Sequence, residues 1–70
     1  MNINLVKEEI KKNLGKNVRI RVIGNRNKVD EYIGKIYKTY PYIFSILIEN
    51  DEKSFSYADV ITKDVLIYYI

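Results

Sequence analysis

The chain contains no cysteine, no histidine and no tryptophan, and only one proline and three glycines. Each scarcity closes a class of function. Without cysteine there is no disulfide, no thiolate metal ligand and no thiol nucleophile, and a reducing cytoplasm is the expected setting. Without histidine the chain lacks the side chain that most readily moves protons or binds metal near neutral pH. Three widely spaced glycines form neither a phosphate-cradling loop nor a dinucleotide fingerprint. Ser45, Ser54 and Ser56 have no activating base beside them in the sequence. Long apolar runs are also missing: nothing approaches the roughly 20 residues that span a membrane. The acidic pair Glu8 and Glu9 does not suit a secretion signal. Of the other carboxylates, Glu49, Asp51 and Glu52 lack the spacing and central glycine of a calcium loop and read as a solvated turn. Asp30 and Glu31 are neighbours, so on a strand they point to opposite faces and cannot share a proton. The expectation is a non-enzymatic binding domain with no catalytic, metal or cofactor site.

What is present suits a small packed domain. A chain of 70 residues is one domain, 1–70, and at that size folding buries only about 60% of the unfolded surface. Apolar residues make up 47% of it, and seven tyrosines add large side chains with a polar tip. Ile3, Val6, Ile10 and Leu14 recur at helical spacing, which predicts a helix over 3–14 capped by Asn2 or Asn4 and stopped at Gly15. From Val18 the period falls to two, with Ile20 and Val22 alternating against Arg19 and Arg21. Turn-forming residues follow at 24–27, then a long strand over 29–40 in which Gly34 marks a bend or bulge. Pro41 breaks that strand. A third runs over 43–48 with Phe44, Ile46 and Ile48 inward; a turn at 49–52 leads to a short fourth strand holding Phe55 and Tyr57. Ala58-Asp59 reads as a tight or 3₁₀ turn, and 65–70 as the fifth strand. One helix followed by five turn-linked strands predicts a mainly β fold, a small SH3-like (Sm-like) five-stranded barrel over 17–70.

Charge is distributed unevenly. Residues 1–40 hold ten Lys/Arg against four Asp/Glu, whereas 41–70 hold two against five. Arg19 and Arg21 share a strand face, Arg26 and Lys28 flank the following turn, and Lys35 comes from the paired strand. Lys11, Lys12 and Lys16 extend the set from the helix end. Clustered cations beside aromatic rings, here Tyr32, Tyr37 and Tyr40, are what a DNA or RNA site requires. A plain solvated face explains the same cations, and a net charge of +3 is small for a dedicated nucleic-acid binder. Self-association has separate support. The segment 65–70 is apolar on both faces, and 43–48 is too apart from Ser45, whereas a strand buried on one side alternates with polar residues. A helix of about 12 residues spans only ~18 Å, so it covers both strands incompletely. A homodimer is therefore a second expectation.

Two segments go beyond composition. Lys38-Thr39-Tyr40-Pro41-Tyr42-Ile43-Phe44 resembles the threonine-tyrosine-proline stretch of the Veg proteins of Gram-positive bacteria, and Ser54-Phe55-Ser56-Tyr57-Ala58-Asp59-Val60-Ile61-Thr62 resembles their SYSYADVLT stretch. The resemblance covers residues 10–69, with both segments in order. Family members carry a richer basic turn where this chain has Gly24-Asn25-Arg26-Asn27-Lys28. The resemblance implies an SH3-like barrel and a regulatory role in biofilm and matrix-gene expression through a protein partner, a transcriptional regulator. Within the segments, Thr39, Tyr40, Pro41, Phe44, Tyr57, Ala58 and Asp59 are expected to specify the fold: the proline turn ends one strand, Phe44 anchors the next, and Asp59 accepts backbone amides in a turn.

Overall fold

The computed structural model describes residues 2–24 and 28–70. Helix α1 (Ile3–Lys12) is followed by β1 (Asn17–Ile23), β2 (Val29–Thr39), β3 (Ile43–Ile48), β4 (Asp51–Ser56), a short helix α2 (Tyr57–Thr62) and β5 (Val65–Tyr69). The expected mainly β fold with an N-terminal helix is present. All neighbouring strands pair antiparallel, in the order β4-β3-β2-β1-β5. The expected ring closure is not seen: β4 and β5 are the two edges, and among the described residues no pairing joins them.

Local chemistry accounts for most boundaries. Asn2 caps α1 by accepting from the Asn4 amide at 2.9 Å. The helix stops two residues before the predicted end: Asn13 is its C-cap, and Gly15 adopts φ +84°, where a side chain is strained. The Gly15 amide then donates to the Ile36 carbonyl at 2.8 Å, tying the turn to β2. At the other hairpin the turn is shorter than predicted, because Ile48 pairs with Asp51 and only Glu49 and Asn50 lie between them. The largest correction concerns 57–62. The predicted end of strand four and the tight turn after it are a helix, whose cap is the Ser56 hydroxyl accepting from the Asp59 amide at 3.1 Å. Asp59 is thus capped rather than the acceptor expected of it. A serine three residues ahead of an acidic residue is a capping signature, and the strand period across Phe55 and Tyr57 hides it.

Every element contributes to the core: Ile10 from α1, Val18 and Ile20 from β1, Ile36 from β2, Phe44 and Ile46 from β3, Phe55 from β4, Tyr57 from α2 and Val65 from β5. The strand residues of this set share the inner face of the sheet, over which α1 and α2 pack. The inward set Phe44, Ile46 and Ile48 is as predicted, with Ile48 half-buried. Ser45, on the opposite face of β3 between Lys38 and Ser54, is also fully buried. Among the described residues nothing hydrogen-bonds its Oγ. An unpaired buried hydroxyl is a liability, so Ser45→Ala should be neutral or stabilising by up to about 1 kcal/mol. A urea midpoint lower than that of the parent would contradict this.

Candidate functional site

Burial of the inner face leaves the outer face of β5-β1-β2 open, and side-chain alternation decides what stands on it. Arg19 and Arg21 of β1 point outward, alternating with the buried Val18 and Ile20 and the half-buried Val22. Strand register places Tyr68 of β5 and Ile33 of β2 on either side of Arg19. It places Leu66 and Glu31 on either side of Arg21. Ile23 pairs with Val29 at the hairpin end, and Lys35 pairs with Asn17 at the other. Ile33, Tyr68, Ile23 and Val29 are all substantially exposed. The face is therefore aliphatic and basic together.

Its electrostatics are milder than the cation count suggests. Glu31 forms ion pairs with both arginines, with Nε of Arg19 3.5 Å from one carboxylate oxygen and Nε of Arg21 3.4 Å from the other. Both pairs are half exposed, so each adds little stability, of order 0–1 kcal/mol. Their consequence is electrostatic: one carboxylate stands between two guanidinium groups and cancels one of their charges. Arg19, Arg21 and Lys35 against Glu31 leave this face positive, but not densely so.

The expected nucleic-acid constellation is only partly assembled. Arg19, Arg21 and Lys35 do share the face. Lys28 lies just before β2, where its carbonyl accepts from the Gly24 amide at 2.7 Å. Arg26 lies outside the described residues. The expected aromatic partners are elsewhere. Tyr32 is on the inner face, where its ring packs 6.0 Å from Phe55 and under the Lys53 ammonium at 4.7 Å. Tyr37 is the extra residue of a bulge between Ile36 and Lys38, and Tyr40 reaches Glu52 at 3.4 Å. The ring that does flank Arg19 is Tyr68, which only the β1-β5 register could have revealed. Lys11 and Lys12 ride on α1, over the inner side.

The two conspicuous sequence segments meet inside the molecule. The Tyr57 hydroxyl donates to the Tyr40 carbonyl at 2.9 Å, and the Tyr57 amide donates to the Tyr42 carbonyl at 3.2 Å. The Tyr57 ring stacks on Phe44 with centroids 5.7 Å apart. Burial pushes the Tyr57 phenol above the ordinary tyrosine value. Residues 39–44 and 54–62 are thus two halves of one internal lock.

A family model described as biofilm formation stimulator VEG matches residues 1–68 of this chain. The chain belongs to the VEG family. No curated protein matches it. In VEG terms, the lock around Tyr57 joins the two segments by which the resemblance is read, while the outer-face residues Ile33 and Tyr68 lie outside both segments. Among the described residues no group of three or more His, Cys, Asp or Glu comes together as a metal site would require. No helix among them is long and apolar enough to cross a membrane.

Proposed function

We propose that this VEG-family chain is a cytoplasmic, non-enzymatic binding module that stimulates biofilm formation by docking a protein partner on the outer face of β5-β1-β2. The family description supports the biofilm role. The observation that favours a protein as ligand is the make-up of the face: exposed Ile33, Ile23 and Val29 surround two arginines already bridged by Glu31. Aliphatic side chains with positioned arginines match the composition of protein interfaces, where charge is sparse at the centre and arginine is enriched. A phosphate backbone would instead meet the Glu31 carboxylate and only one flanking ring. The partner that fits carries apolar residues and a carboxylate able to compete for Arg19 or Arg21. A transcriptional regulator of matrix genes is the partner in this reading.

Nucleic acid is the alternative ligand, on the shared placement of Arg19, Arg21 and Lys35. Titration of labelled single- and double-stranded DNA and RNA across a salt series separates the two. The proposal expects binding to be absent, or weak and indifferent to R19A/R21A. Tight binding that falls steeply with salt and is abolished by that double variant would establish the alternative.

A further inference from the structure

The two edges of the sheet differ in kind. Strand β4 opens with Asp51, Glu52 and Lys53, all exposed, and charge is the usual protection of a free edge. Strand β5 reads Val65-Leu66-Ile67-Tyr68-Tyr69, with no charge and no proline, and its pairing with β1 runs without a bulge. The phase of that ladder fixes which backbone groups are free. The Ile23 amide donates to the Asp64 carbonyl at 2.8 Å and the Ile70 amide to the Asn17 carbonyl at 3.1 Å. Alternation then turns the backbone of Leu66 and Tyr68 toward β1 and that of Val65, Ile67 and Tyr69 away from it. Ile67 and Tyr69 are accessible at the edge, whereas Val65 is almost fully buried. Among the described residues no backbone group bonds them there.

Beside this edge runs an apolar groove. Val6 and Ile10 of α1 and Val60 of α2 line it together with Val65 and Ile67, and Glu9 and Lys63 stand on its rim. The two charges are at opposite ends of β5. Lys63 lies two residues before the strand, with Asp64 between them accepting from the Thr62 hydroxyl at 2.9 Å. Glu9 lines the groove with Tyr69, whose phenol is raised first by burial and then by that carboxylate. Leu5, 69% exposed, sits one helical turn from Glu9 on the same stripe of α1.

We infer that β5 is a self-association edge, to which a second copy of this chain adds its own β5 antiparallel, across a two-fold axis at Ile67. In that register Ile67 faces its equivalent, the pair exchanging both backbone hydrogen bonds, and Val65 stands opposite Tyr69 of the other copy. The axis brings Lys63 to the end where the other copy presents Glu9, and does so twice. A parallel arrangement would set like charges together. The contact surface is thus self-complementary, as a two-fold interface must be. It also joins the two outer faces into one continuous surface, with both copies of Leu66 and Tyr68 at its centre. The inference stands independently of what that outer face binds.

Sedimentation velocity of the whole chain from low micromolar to millimolar concentration gives the first readout, and a monomer–dimer equilibrium is expected. Glu9→Lys and Lys63→Glu are both at exposed positions. Each alone should weaken the dimer about tenfold or more, because two attractive contacts become repulsive. Mixing the E9K and K63E chains in equal amounts should restore association. An intramolecular effect could not be rescued by mixing. The second readout is amide exchange: Ile67 should gain protection with concentration, while Leu66 and Tyr68 are protected throughout. A monomer at every concentration, a dimer whose Ile67 amide exchanges as fast as the monomer's, or a mixture that fails to reassociate would overturn the inference.

Discussion

Tyr57→Ala should lower the stability of the fold by about 3–5 kcal/mol, and Tyr57→Phe by about 1–2 kcal/mol. The first expectation compares two magnitudes. Truncating a buried aromatic ring costs about 3–5 kcal/mol, while stability runs at roughly 0.05–0.15 kcal/mol per residue, or about 4–10 kcal/mol for 70 residues. At the middle of both ranges the loss takes about half of the total. The second isolates the hydroxyl, because phenylalanine keeps the stack on Phe44 and removes only the donor to the Tyr40 carbonyl. Chemical denaturation of the three proteins measures both. The pH dependence supplies a check on the same group. The folded-state phenol titrates above its unfolded value, so its contribution is complete below about pH 10. Above that, the unfolded chain has released a proton that the folded chain retains, and stability falls as pH rises. Tyr57→Phe should flatten that alkaline decline. A decline of equal steepness in Y57F would show that other groups cause it.

Gly34→Ala should destabilise by about 3 kcal/mol, against the usual sign. In a strand interior alanine is ordinarily favoured over glycine by roughly 0.5–1 kcal/mol. Here β2 leaves one partner and takes another: residues 29–35 pair with β1, and pairing with β3 begins at Lys35. At that handover β3 approaches so closely that a methyl on Gly34 would run into the Leu47 carbonyl oxygen and lie 3.1 Å from the Ile48 side chain. The obstructing atom is backbone in a paired strand, so relief requires moving β3 itself, at the upper end of overpacking costs of about 1–3 kcal/mol. At about 4–8 °C per kcal/mol for a domain this small, the midpoint should drop by roughly 15 °C. A midpoint unchanged or raised would mean that the strands separate there without cost.

Gly34 also illustrates how much the sequence disclosed. Its place in a long strand marks an irregularity, but the bulge itself falls two to four residues later, at Ile36 to Lys38. Close approach of a second strand is a property of register, which no local pattern encodes. Period-two alternation at Val18 to Val22 and the inward set of β3 were legible because burial acts on each residue separately. Helix α2 was not, because Phe55 and Tyr57 continue the strand period while Ser56 silently changes role to a cap. The same limit governs the candidate site. Arg19, Arg21 and Lys35 could be grouped by alternation, whereas Tyr68 and Leu66 join them only through pairing between β1 and β5, about 47 residues apart in the chain. Alternation separates Glu31 from its neighbour Asp30, but its position between two arginines follows only from the β1-β2 register. The resemblance segments were visible from residue identity alone, but the bond from Tyr57 to Tyr40 that makes them one unit required the fold.

As proposed, the outer face of β5-β1-β2 binds while the interior around Tyr57 only holds shape, and a pair of variants tests that division. In a strain lacking this chain, complementation by Ile33→Asp and by Tyr57→Phe should be scored for biofilm mass, with the thermal midpoint of each purified protein measured alongside. Ile33 is 56% exposed, so Ile33→Asp should keep its midpoint and fail to restore biofilm, while Tyr57→Phe should lose several degrees and still restore it. Full restoration of biofilm by a folded Ile33→Asp protein would contradict the assignment of the outer face as the working surface.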